Sequence, residues 1–117
     1  MSVKIYLNPR CSKCRLTMDL LAQNGVEPVV VEYLETPPSA AELGEVFAKL
    51  GKPPQQMIRF KEAIAQELGL SADDDRTDDE WCQLISENPA LLERPIVVSG
   101  DRAVVGRPPE NVLDLLP

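Results

Sequence analysis

Val3-Lys4-Ile5-Tyr6-Leu7-Asn8-Pro9-Arg10-Cys11-Ser12-Lys13-Cys14-Arg15 decides how the rest of the chain is read. Val3–Leu7 has the composition of a short strand, Asn8-Pro9 is a turn signal, and a helical apolar face begins near Ser12. That face continues through Cys14, Met18 and Leu21, and Asn24-Gly25 supplies a helix stop. Val29-Val30-Val31 is a β-branched run and predicts a second strand, buried on both faces. Strand, helix and strand within about 35 residues make a βαβ unit.

Working outward, Thr36-Pro37-Pro38 is a loop. Ser39 with Glu42 reads as a capping box for a helix carrying Leu43, Val46, Phe47 and Leu50, closed by Gly51. Pro53-Pro54 breaks the chain, and a weakly patterned helix is expected from Gln55 to Leu68, closed by Gly69. Asp73-Asp74-Asp75 lacks the ligand spacing of a calcium loop and reads as solvated. Thr77 with Glu80 caps a further helix that buries Trp81, Leu84 and Ile85 and stops at Asn88-Pro89. Pro95–Val98 and Ala103–Val105 are two strands joined through Gly100-Asp101, a hairpin signal. Pro108-Pro109 opens a last helix with Val112, Leu113 and Leu116. The pattern predicts one α/β domain over residues 1–117: a four-stranded mixed sheet flanked by helices, with an inserted helical block.

At 117 residues the chain can bury one core without staples. Its net charge of −7 argues against non-specific nucleic-acid binding, and the one basic cluster surrounds the cysteines. No apolar run is long enough to span a membrane, and Pro9, Arg10 and the cysteines interrupt the early apolar stretch that a signal peptide would need. A cytoplasmic, monomeric protein is expected, in a compartment where a Cys-x-x-Cys pair is catalytic or metal-binding more often than a structural disulfide. The chain has no histidine, which excludes Ser-His-Asp and Cys-His catalysis and every His-ligated metal site. Three cysteines without histidine lack the ligand set of a closed zinc site, so no metal is expected.

Cys11 and Cys14 sit where the strand turns into the helix. A thiol at the first turn faces unpaired backbone N–H groups and the positive end of the helix dipole, and both favour the thiolate. Arg10, Lys13 and Arg15 add positive charge. Cys11 is the candidate nucleophile and Cys14 a candidate resolving thiol; the alternatives are half of a zinc site or two small buried apolar residues. With no imidazole available, the nucleophile must be activated by fixed positive charge. Arg59 lies between Ile58 and Phe60, Arg94 precedes Pro95, and Arg107 lies between Gly106 and Pro108. The hairpin turn places Arg94 and Arg107 at neighbouring strand ends, and arginine forks match tetrahedral oxyanions bidentately.

Asn8-Pro9-Arg10-Cys11-Ser12-Lys13-Cys14-Arg15, Tyr33-Leu34-Glu35-Thr36-Pro37-Pro38, Met57-Ile58-Arg59, Arg94-Pro95-Ile96-Val97-Val98 and Gly106-Arg107-Pro108-Pro109-Glu110 occur in the order seen in the glutaredoxin-coupled arsenate reductase family, which the chain resembles along essentially its whole length. The resemblance implies a thioredoxin-like fold with an inserted helical block. It implies that Cys11 attacks arsenate and that Arg59, Arg94 and Arg107 hold the oxyanion. It makes Pro95 the candidate cis proline opposite the active cysteine. Glutathione is then the co-substrate, glutaredoxin reduces the mixed disulfide, and no cofactor is bound. Leu7 stands where well-studied members carry a histidine, and Cys14 where many carry a serine. A second thiol there would let Cys11 be resolved internally and would favour thioredoxin as reductant.

A redox-sensing regulator that binds RNA polymerase is the competing expectation, since a related branch shares the fold and an N-terminal Cys-x-x-Cys. The three arginines favour the enzyme, because a docking module has no evident use for an oxyanion pocket. A general glutaredoxin fits less well, given Cys-Ser-Lys-Cys and an arginine before Pro95. Cys82, beside Trp81 on an amphipathic helix, is expected to be packing.

Overall fold

The computed structural model describes residues 2–116. Its elements run β1 (Val3–Leu7), α1 (Ser12–Gln23), β2 (Val29–Glu32), α2 (Ala40–Leu50), a 3-10 turn (Pro54–Met57), α3 (Ala63–Glu67), α4 (Asp78–Glu87), a second 3-10 turn (Pro89–Leu91), β3 (Ile96–Ser99), β4 (Arg102–Val105) and a third 3-10 segment (Pro109–Leu115). The chain divides into two compact units. Pro37–Glu93 forms one, and the segments before and after it form the other. The four-stranded sheet thus belongs to one unit, and the helical block inserted between β2 and β3 is the other.

In the sheet unit the strand order is β2-β1-β3-β4. β1 pairs parallel with β2 and antiparallel with β3, and β3 pairs antiparallel with β4, with Tyr6 opposite Ile96 and Ile96 opposite Val105. This is the mixed sheet that the sequence predicts. β1 is central and buries Val3, Ile5, Tyr6 and Leu7, leaving only Lys4 exposed. β3 likewise buries Ile96, Val97 and Val98. The core between sheet and helix gathers Val3, Ile5, Leu7, Cys14, Leu21, Val97, Val112 and Leu115.

Three expectations are corrected. β2 is an edge strand, not one buried on both faces: Val29 is 59% and Val30 45% exposed. Three consecutive β-branched residues specify a strand but not its place in the sheet. The helix expected over 55–68 does not form. Met57 C=O accepts from Glu93 N–H (2.8 Å), Arg59 N–H donates to Leu91 C=O (2.7 Å), and Ile58 bridges Leu92. These non-local bonds take the groups a helix would have used, and only Ala63–Glu67 is α-helical. The last helix is a 3-10 segment. Its three-residue period buries Val112 and Leu115 and leaves Leu113 exposed, whereas an α-helical period groups 112, 113 and 116.

In the helical unit α2 and α4 bury Leu43, Val46, Phe47, Trp81 and Ile85. Ser39 accepts from Glu42 N–H at the start of α2, and Thr77 with Glu80 forms a full capping box at α4. Ser86 Oγ donates to Pro38 C=O (2.7 Å), and Trp81 stacks edge-on to Phe60 with centroids 6.3 Å apart. Cys82 is buried in this core, and burial with Asp78 and Asp79 pushes its thiol up, the reverse of activation. No helix among the described residues is long and apolar enough to cross a membrane.

Candidate active site

Asn8 and Pro9 occupy the first two positions of a turn closed by Cys11 N–H on Asn8 C=O (2.9 Å), the places where turn geometry favours these residues. Asn8 Oδ1 accepts from Arg10 N–H (3.0 Å) and tightens the loop. Cys11 is the N-cap of α1, with extended backbone at φ −88° and ψ 124° and no side-chain cap bond. Its sulfur therefore sits over the open N–H groups of the first helical turn.

The hairpin brings two of the three candidate arginines to this sulfur. Arg107 Nη2 donates to Cys11 Sγ (3.6 Å), and Arg107 Nε donates to Arg94 C=O (2.6 Å). Arg94 also hydrogen-bonds the Cys11 sulfur, and its guanidinium meets the hydroxyl of Tyr33. Tyr33 is fully buried just after β2, and sequence reasoning gave it no role. Arg59 belongs to the helical unit, where its guanidinium is ion-paired with Glu62. The Arg94–Pro95 peptide bond is cis, at the position the family resemblance singled out. Arg107–Pro108 is cis as well, which the sequence reading did not anticipate.

The electrostatics follow from these contacts. Burial by itself raises the Cys11 thiol. The hydrogen bond from Arg94, the N–H groups of Cys14 and Lys13 and the Cys14 thiol outweigh it and bring Cys11 from 9.0 down to about 7. Roughly half of Cys11 is then thiolate at pH 7, against about 1% for an unperturbed thiol of 9.0. Leu7 is buried and offers no hydrogen bond, so activation falls to guanidinium, helix N–H groups and the second thiol. Cys14 moves the other way, up to about 11. Burial is the largest cause, and the neighbouring Cys11 adds to it against the Asn8 N–H (3.5 Å from Cys14 Sγ) and Arg94. The two sulfurs therefore share a single negative charge, carried by Cys11.

One prediction is kinetic. Iodoacetamide alkylation of Cys11 should rise with pH about a midpoint near 7. Arg94→Ala removes a group that favours the thiolate, so the midpoint should move up. A wild-type midpoint at or above 9.0 would contradict the arrangement.

Gly106, to which the sequence reading gave no packing role, fixes the local packing. A Cβ on Gly106 would lie 2.7 Å from Thr17 Oγ1 and 2.9 Å from Pro95 Cγ. Thr17 is fully buried and its hydroxyl is committed to Lys13 C=O (2.7 Å). Gly106 N–H meanwhile donates to Pro95 C=O (2.9 Å). The Arg94 and Arg107 loops thus press on α1 with no room for a methyl group. Gly106→Ala should cost about 1–3 kcal/mol of stability and displace Pro95 relative to α1. A melting curve beside the alkylation midpoint checks both effects.

The chain is 50% identical over 115 residues to the uncharacterized protein YfgD of Escherichia coli K12, covering 97% of this chain and 96% of that one. It is 45% identical over 117 residues to an arsenate reductase of Haemophilus influenzae, covering 99% and 100%. The structure of an arsenate reductase from Vibrio cholerae superposes with a TM-score of 0.93 at 47% identity, covering 99% and 98%. That match makes the mixed sheet with its helices the thioredoxin-like fold of such reductases. The ArsC family model matches residues 6–115, a span that holds the cysteine turn, the edge strand, the helical insertion and both arginine loops, and the chain belongs to the ArsC family.

Proposed function

We propose that the protein is a thiol-dependent arsenate reductase with Cys11 as its nucleophile. The observation that carries the reading is a cysteine lowered to about 7 with two guanidinium groups, Arg94 and Arg107, on its sulfur. Relatives named as arsenate reductases support the substrate. The Cys11 thiolate attacks arsenic(V) and an arsenate oxygen leaves as water, giving a sulfur–arsenic bond. Arg94 and Arg107 offset the charge of the entering oxyanion and hold it in line with the sulfur. The resemblance extends the oxyanion-holding role to Arg59. A second thiolate then attacks Cys11 Sγ. A disulfide forms, and arsenic keeps the electron pair of the broken bond and leaves as arsenite. In sum, two thiols lose two electrons and arsenic(V) becomes arsenic(III). Glutathione with glutaredoxin is the donor pair implied by the resemblance, and thioredoxin is the alternative. The reaction needs reduced thiols, which suits the reducing cytoplasm.

An oxyanion titration tests the reading. Arsenate should protect Cys11 from alkylation, with phosphate and sulfate as competitors, and arsenite should appear once a donor is supplied. A regulator that docks on RNA polymerase would show neither protection nor arsenite.

A further inference from the structure

Arsenate reduction consumes two thiols, and a second one lies against the first. Cys11 is the N-cap of α1 and Cys14 its third residue, so both side chains belong to one helical turn. The Cys14 thiol is a hydrogen-bond partner of the Cys11 sulfur. Cys14 is 0% exposed, and the reactive group beside it is the Cys11 sulfur. The remaining cysteine, Cys82, is buried in the core of the helical unit.

Building on the arsenate-reductase reading, we propose that Cys14 is the resolving thiol of this chain: it closes a disulfide with Cys11 and completes arsenate reduction without glutathione. The external reductant then meets an intramolecular disulfide, which a dithiol protein of the thioredoxin class reduces, rather than a glutathione mixed disulfide.

Cys14 must be protonated while it waits and deprotonated when it acts, and its neighbours supply that order. While Cys11 is a thiolate, the burial of Cys14 and, after it, the Cys11 charge keep the second thiol up at about 11. Once Cys11 Sγ is bonded to arsenic, that charge is gone. Burial still opposes a Cys14 thiolate, but Arg94 and the Asn8 N–H, which both favour it, now act without the Cys11 charge against them. The Cys14 proton passes to solvent or to an arsenic-bound oxygen. Cys14 Sγ bonds to Cys11 Sγ, the Cys11–arsenic bond breaks, and its electron pair departs on arsenite. Both cysteines are oxidised by one electron each and arsenic is reduced by two. Cys11, at 8% exposure, is the sulfur through which the disulfide meets its reductant.

The test is a single turnover without added thiol. Fully reduced wild type, freed of reductant, is mixed with arsenate; arsenite and free thiols are counted, and tryptic peptides are mapped. About one arsenite per chain should form with loss of about two thiols, and the peptides holding Cys11 and Cys14 should be linked. Cys14→Ser should give at least about tenfold less arsenite under these conditions and should turn over only with glutathione present. The wild-type peptide map needs no variant to fold. Cys11 joined to Cys11 of a second chain, or Cys14 still free after arsenite forms, overturns the assignment, as does equal arsenite from Cys14→Ser without thiol. In each of these the reductase reading survives. If wild type makes no arsenite with either donor system, that reading falls and the assignment falls with it.

Discussion

Cys11→Ser is expected to lower arsenate turnover by at least about 10³-fold, because a serine hydroxyl stays protonated where the thiol is half ionised. The same change should stabilise the protein at pH 6. Cys11 holds the N-cap of α1 with a sulfur, a weaker acceptor for the first-turn N–H groups than a hydroxyl oxygen, and serine is a favoured N-cap, a gain of about 0.5–1 kcal/mol. That corresponds to a melting temperature higher by a few degrees. The sign depends on pH. The folded-state thiol is depressed from 9.0 to about 7, so its contribution to stability is full above 9.0 and is lost as pH falls through 7. At pH 6 both side chains are neutral and serine's better capping decides. At pH 9 the thiolate's contacts with Arg94 and the helix N–H groups favour the wild type, and the difference should shrink or reverse. Melting curves at the two pH values, beside turnover, check this. Serine that destabilises the protein at pH 6 would contradict the capping argument.

The second large effect concerns the arginines. Each charge-assisted contact contributes on the order of 1.5–3 kcal/mol. Arg94→Ala and Arg107→Ala should therefore each lower kcat/KM for arsenate by roughly 10- to 150-fold. Arg94 belongs at the upper end, since its loss also costs thiolate. Lysine should rescue only in part, because a point charge cannot make the fork. Stability separates the two. Arg107 is exposed, and its removal should leave the melting temperature almost unchanged. Arg94 is half-buried beside the buried Tyr33 hydroxyl, so Arg94→Ala should also cost about 1–3 kcal/mol of stability. A regulator would instead show changes only in partner binding.

How far the sequence carries can be argued from individual residues. The βαβ start was legible because Asn8-Pro9 and Asn24-Gly25 punctuate two different periodicities. The hairpin was legible because Gly100 supplies the positive φ (62°) that its two-residue turn requires. The nearness of Arg94 and Arg107 followed from that turn alone. What could not be read was set by contacts between residues distant in sequence. Val29 and Val30 look like core but lie on the sheet edge, and nothing local says so. The segment after Pro54 has the composition of a helix, yet the backbone of residues 91–93 claims its Met57 and Arg59 groups. Tyr33 and Gly106 lay inside segments that carried the family resemblance, but their roles are a buried hydroxyl against Arg94 and a missing methyl group against Thr17 and Pro95. Chain order shows neither. The helix-start argument foresaw the direction of the Cys11 shift. The opposite shift of Cys14 needed its full burial to be seen.

The most direct test of thiol-based arsenate reduction is arsenate-dependent NADPH oxidation, with glutathione, glutaredoxin and glutathione reductase in one arm and thioredoxin with its reductase in the other. Arsenic speciation of the product accompanies both. NADPH should be consumed in step with arsenite formed by wild type, at a rate that rises with pH about a midpoint near 7, and not at all by Cys11→Ser. Wild-type protein that forms no arsenite in either arm, or arsenite formed equally by Cys11→Ser, would contradict thiol-based arsenate reduction.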